Sequence, residues 1–186
     1  DSRFAANVVQ LFKAGCYPEV ANGFDSRFDE DKVLDLVNAG IDSFLARKFR
    51  SGFTAQDIMT FKERNISPEK VEEYLVAFDE YGLTKHLAGD RLDRISLSPM
   101  VYPIIVLMDY NADPKTVVKY DRSFFGHYAD VRSGDDSQCA GVIAMMDCGV
   151  MPEEANKYAA LNRKYVAEIG GLDLARFKSE GITYED

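Results

Sequence analysis

One seven-residue junction recurs along this chain and limits what it can fold into: a small residue, an apolar residue, a cap, three further residues, and a small or β-branched apolar residue. "NISPEKV" at 65 is the clearest copy. With departures at the cap and last slots the same frame fits "GCYPEVA" at 15, "GIDSFLA" at 40, "GFTAQDI" at 52, "GLTKHLA" at 82, "SLSPMVY" at 96, "NADPKTV" at 111 and "GVMPEEA" at 149. "RFDEDKV" at 27 is a looser copy, "GLDLARF" at 171 is weak at its last slot, and "GITYED" closes the chain as a partial one.

Each slot has a physical reason. Gly or Asn in the first slot can adopt the left-handed conformation that ends a helix, so Gly40 and Gly52 are expected to hold positive φ. The Ser, Thr or Asp two places later accepts a bond from an orphan amide of the next helix, and Pro directly after it has no helical hydrogen bond to lose. Between stop and start, the apolar residue pairs with the one five places on, so that Ile66 with Val71 and Ile41 with Ala46 form hydrophobic staples.

Successive frames lie 12, 13, 12 and 13 residues apart from position 15 to 65, then 17, 14 and 15 apart up to 111. Two short helices then make a unit of about 25 to 30 residues, shorter than the common helical repeats. Helices of about three turns are marginal alone and need neighbours. The pattern predicts an all-α fold of about a dozen helices in an α-solenoid-like array, one helical-repeat domain over 1–186, and no strand. Within it, Val71, Tyr74, Leu75, Phe78 and Tyr81 form the clearest apolar stripe. The stretch from Met100 to Met108 is apolar nearly all round and predicts a central helix that Pro103 kinks or delays.

Between 111 and 149 the frame is lost. A long or broken helix from Pro114 to about Val131, the turn "SGDD", and a helix capped by Asp136 or Ser137 running to Cys148 fill the gap. Residues 121–138 read as an insertion, and insertions in repeat proteins gather on one face, often the binding face. Phe124, Phe125, His127 and Tyr128 are therefore the candidate partner-binding residues. The competing reading makes these aromatics core, as aromatics at helical spacing usually are.

Composition narrows the function class. The net charge of −9 repels a phosphate backbone, and the densest basic stretch is only "ARKFRSGF" at 46–53. No nucleic acid is expected, and a basic protein is the favoured partner. No apolar run reaches the roughly 20 residues of a membrane span, so a soluble protein without a membrane partner is expected. The three cysteines are Cys16, Cys139 and Cys148. The last two are too far apart on one helix for a disulfide, which points to a reducing, intracellular and cytoplasmic setting. Because the chain opens on Asp1 and closes on a partial frame, it is expected to belong to a longer polypeptide with other domains.

Chemistry is sparse. No phosphate loop, dinucleotide fingerprint, nucleophile elbow or zinc motif occurs, and His86 and His127 are distant from each other and from the cysteines, so no catalytic residue, metal or cofactor is assigned. "DYNADPKTVVKY" spaces Asp109, Asn111 and Asp113 like calcium ligands. Pro114 and Tyr120 stand where the loop needs Gly and Glu, and Asp113 reads better as a helix cap. Asp135 with Asp136 and Glu153 with Glu154 are adjacent carboxylates without evidence of a shared site. The leading expectation is a protein-interaction scaffold. A helical enzyme or small-ligand protein with a pocket near 121–138 comes second, and a structural spacer third.

Overall fold

The computed structural model describes residues 9–15, 17–88, 96–126, 137–165 and 169–182. These residues are all-helical and contain no strand. A helical stretch over 9–13 precedes eleven α-helices. They are α1 (Pro18–Ala21), α2 (Glu30–Asn38), α3 (Ser43–Lys48), α4 (Ala55–Glu63), α5 (Pro68–Glu80), α6 (Leu83–Ala88), α7 (Val101–Asp109), α8 (Pro114–Val117), α9 (Ser137–Asp147), α10 (Pro152–Tyr165) and α11 (Gly171–Ser179). Short 3-10 turns cover Ser98–Met100 and Arg122–Phe124. Among the described residues no helix is long and apolar enough to cross a membrane.

The stop half of the junction is a left-handed residue, as its first slot requires. Gly15, Gly40, Gly82, Gly149 and Gly181 have φ between 69° and 77°, and Asn65 and Asn111 have φ of 56° and 55°. At five of these positions the closing bonds are complete. The amides of Ile41, Ile66, Ala112, Val150 and Ile182 donate to the carbonyls of Leu36, Phe61, Leu107, Met145 and Phe177 at 2.8–2.9 Å. The left-handed residue before each donates to the next carbonyl along, at 2.8–3.1 Å. This double closure satisfies the last orphan carbonyls, and its usual companion is an apolar contact across the turn. Leu36, Phe61, Leu107 and Met145 are fully buried, and Ile41, Ala112 and Val150 nearly so.

Two first-slot glycines behave differently. Gly52 is not among the positive-φ residues; it is buried, and its carbonyl accepts the Leu97 amide at 2.8 Å. Gly171 opens a helix instead of closing one, with Gly170 as its extended N-cap.

The start half follows the capping chemistry. Asp42 accepts from the Leu45 amide at 2.7 Å and Ser67 from Lys70 at 3.3 Å, while Thr54 and Asp57 close a reciprocal capping box. Asp113 caps α8, taking bonds from Lys115 and Thr116, which accounts for its position before Pro114 without a metal.

Contacts divide the chain into two compact units, Asp1–Glu72 with Arg94–Ser98, and Glu73–Asp93 with Pro99–Asp186. The division falls inside α5. In the first unit α2 packs against α4, and Phe49, Phe53 and Phe61 form a ring cluster with centroids 5.3–6.4 Å apart. Arg27 ties this unit together. Its guanidinium donates to the carbonyls of Arg50 at 2.7 Å, Ala46 at 2.9 Å and Phe49 at 3.3 Å, and lies 4.6 Å from the Phe28 ring centroid. A cation thereby meets the carbonyl-rich end of α3, where the helix dipole favours positive charge.

In the second unit α7, α11 and the 3-10 turn Arg122–Phe124 all pack on α9. The apolar helix α7, expected at the centre, exposes Tyr102 and its last residue, Asp109. Pro103 lies in the first turn of α7, where its missing amide costs no helical bond. The α9–α11 crossing is a glycine contact: a methyl group on Gly171 would meet the Gly141 backbone at 2.7 Å. Tyr81, expected in the buried stripe of α5, is exposed because the helix ends at Glu80 and Gly82 turns the chain. Of the long or broken helix expected from Pro114, the first piece ends at Val117, and the 3-10 turn follows.

Two junctions of the second unit are latched in the same way. The Tyr74 hydroxyl donates to the carbonyl of Ala112 at 2.5 Å, and the Tyr120 hydroxyl to that of Val150 at 2.7 Å. Both tyrosines are buried and both acceptors occupy the apolar slot of a frame. Asn156 adds a bridge, accepting from the Asp121 amide at 2.7 Å and donating to the Lys119 carbonyl at 2.8 Å.

Tyr74→Phe and Tyr120→Phe should each lower stability by about 1–2 kcal/mol, since a buried carbonyl loses its donor; urea unfolding measures this. Burial pushes the Tyr74 phenol up to about 12, with the nearby Glu73 and Asp113 charges adding to it. Because the unfolded phenol ionises near pH 10, this contribution is fully present below about pH 10 and is lost as the pH rises towards 12. Tyr74→Phe should flatten that alkaline decline. Gly40 has open space where a side chain would begin, so Gly40→Ala should cost only its left-handed strain, about 1 kcal/mol. Gly171→Ala should cost more, because the obstacle is backbone.

Candidate functional site

The sequence placed partner binding on Phe124, Phe125, His127 and Tyr128. The structure corrects the first two: Phe124 and Phe125 are 5% and 3% exposed. The 3-10 turn that carries Phe124 packs on α9, so the ring fills core. The Gly126 amide donates to the Gln138 carbonyl at 2.9 Å, tying this segment to the start of α9. His127 and Tyr128 lie outside the described residues, as do Asp135, Asp136 and Cys16.

Of the adjacent carboxylates Glu153 and Glu154, the second has a structural partner. Glu154 holds Lys178 of α11 through both carboxylate oxygens at 3.0 Å, a bond between two helices of the same unit. Cys139 is buried, and desolvation pushes its thiol up to about 12, the opposite of what a nucleophile needs. Cys139 and Cys148 are free thiols. Among the described residues no three His, Cys, Asp or Glu side chains gather in a way that could hold a metal ion.

What stands out instead is apolar surface at slots where the junction calls for polarity. The residue two after the small one should be a hydrophilic cap, and Asp42, Thr54, Ser67 and Asp113 fill it so. Tyr17 and Met151 occupy the same slot and are both 57% exposed. Neither can cap its helix, and neither gains a core contact in exchange. Around Tyr17 the surface stays apolar: the Phe12 ring, 47% exposed, meets the Tyr17 ring edge-on at 5.9 Å. Val9 and Val20 are also exposed.

A third departure is Phe44. The fifth slot carries Gln56, Glu69, Lys115 and Glu153 at four other junctions, all of them exposed. Phe44 keeps the exposure and discards the polarity, at 70% the most exposed of the large hydrophobic side chains described. Arg47 and Lys48, three and four residues on, share its helix face and are exposed. The Lys48 ammonium lies 5.1 Å from the Phe44 ring centroid and 3.1 Å from Glu69.

Sequence reasoning missed Tyr17, Phe44 and Met151 because it looked for function where the frame is lost. The available signal was a residue that breaks the rule inside a frame that is otherwise kept. Contiguous exposed apolar surface, as at Phe12 and Tyr17, marks contact with another molecule more often than single exposed hydrophobic residues do.

Restoring the caps tests whether these slots give up stability. Tyr17→Asp and Met151→Asp should each raise stability by about 1 kcal/mol, the usual gain of an N-cap, as read by thermal unfolding. A loss on both substitutions would mean the side chains pack.

No family model matches the chain, and neither a curated protein nor a solved structure does.

Proposed function

We propose that the chain is a non-catalytic helical scaffold that binds another protein, with its short helices serving as a solenoid-like array of presenting units. The observation that carries this reading is the placement of Tyr17, Phe44 and Met151, large apolar side chains held in solvent at junction slots where capping or solvation would favour polar ones. Natural sequences break a local rule chiefly at functional sites. The edge-on pair Phe12 and Tyr17 supplies rigid aromatic area of the type that anchors protein interfaces.

The recurrence of the double-closed helix end at five junctions supports the repeat reading, because it is one local unit used again and again. The net charge of −9 favours a basic partner at long range, as an acidic body steers positive ones. In this reading the chain is one module of a larger assembly in the cytoplasm.

Site-specific crosslinking tests the proposal. A photo-reactive residue at position 17 should trap one protein in cell extract, and Phe12→Ser should weaken that product about tenfold while leaving thermal stability unchanged, as expected of an interface anchor. The same probe at the exposed polar position 38 should not trap it. Equal trapping from both positions would refute the reading, and so would a product indifferent to Phe12→Ser.

A further inference from the structure

The outer face of α3 differs from the rest of this acidic chain. Phe44, Arg47 and Lys48 lie at i, i+3 and i+4, so one helical turn presents a ring and two cations together. Arg50 lies two residues beyond Lys48, its guanidinium fork held by Glu72 at 2.7 and 2.8 Å. That pair and Lys48–Glu69 are both partly exposed, with side chains 32–66% accessible. Surface ion pairs of this sort have little net worth, so Lys48 can exchange Glu69 for another carboxylate at small cost.

Nothing in the folding of α3 calls for an aromatic in this place. Asp42 already caps the helix, and Ala46 and Ile41 already supply its buried contacts. An acid at the Phe44 position, such as Glu69 or Glu153 at equivalent junctions, would also suit the positive end of the helix dipole. Phe44 therefore gives up that charge and leaves its ring mostly in water, beside the Lys48 ammonium.

We propose that the Phe44–Arg47–Lys48 face docks a protein segment in which carboxylates flank an apolar side chain. The apolar group covers the Phe44 ring, and the carboxylates meet Arg47 and Lys48. This surface goes beyond the one formed by Phe12 and Tyr17 but rests on the same reading of the chain as an interaction scaffold. The occupant is acidic because Arg47 and Lys48 stand exposed beside the ring, Lys48 in a surface pair with Glu69 that another carboxylate can replace, in contrast to the basic partner that the net charge favours at long range. The chain's −9 charge repels such a segment from a distance, and the local cations act within the roughly 10 Å over which salt does not screen them.

The test uses the whole chain and two synthetic amphipathic peptides of one length, one of Glu and Leu and one of Lys and Leu, with affinity read by fluorescence anisotropy. The Glu/Leu peptide should bind at least about tenfold tighter than the Lys/Leu peptide. Phe44→Ser and Arg47→Glu should each weaken it about tenfold, whereas Glu30→Gln on α2 should not. Because Phe44 is 70% exposed, Phe44→Ser should leave the melting temperature unchanged, and this keeps the affinity loss separate from misfolding. Three results would overturn the proposal: preference for the Lys/Leu peptide, equal binding by Phe44→Ser, or binding to phosphatidylserine vesicles in place of either peptide. Concentration-dependent self-association that Phe44→Ser abolishes would assign the face to a second copy and overturn it as well. Crosslinking at position 17 reads the other surface, so the two readings can fail separately.

Discussion

A single backbone device, the left-handed residue that ends a helix, is the constraint on which the rest of this structure depends. Once Gly40, Asn65, Asn111, Gly149 or Gly181 turns, the next amide reaches back over six residues to the last free carbonyl. The residue carrying that amide then closes one helix and leads into the following segment. The apolar slot is apolar for this reason: Ile41, Ile66, Ala112 and Val150 are buried where the chain reverses, each across the turn from a fully buried residue. Sequence reasoning treated this slot as a staple for the next helix. In the structure it is equally the closing contact of the previous one.

Short helices stopped so abruptly need stability from elsewhere, and each unit provides it with a polar anchor at a chain reversal. In the first, Arg27 gathers the carbonyls at the end of α3. In the second, Tyr74 and Tyr120 each hold the apolar slot of a junction that lies 30 or more positions further along the chain. These bonds satisfy carbonyls that burial would otherwise leave costly. They join residues 19 to 38 positions apart and so belong to packing, not to local propensity.

The candidate surfaces follow the opposite logic. At Phe44 and Met151 the chain follows a doubly closed stop at Gly40 and Gly149, and at Tyr17 it follows the left-handed Gly15, but at all three the side chain is large, apolar and exposed. The expectation that function would gather in the interruption meets packing at Phe124 and Phe125, which are buried, while His127 and Tyr128 lie outside the described residues. Phe124 and Phe125 are the aromatic fill around α9, and their sequence pattern was compatible with either role. Periodicity reports which residues share a face; it does not report whether another helix covers that face.

Several features were therefore decided by the sequence alone: the all-α class, the caps at Asp42, Thr54, Ser67 and Asp113, and the stops at Gly40, Asn65, Asn111 and Gly149. All of them depend on bonds between residues within a few positions, which a short window of sequence contains. Only the tertiary structure decided that Gly171 starts a helix so that its backbone can lie against Gly141, thirty residues earlier. It also decided that Gly52 is buried with its carbonyl accepting from the Leu97 amide and is not a left-handed stop, and that Phe44 faces water while Phe124 does not. Each of those outcomes turns on what a distant segment covers, and coverage is a property of packing that no local pattern encodes.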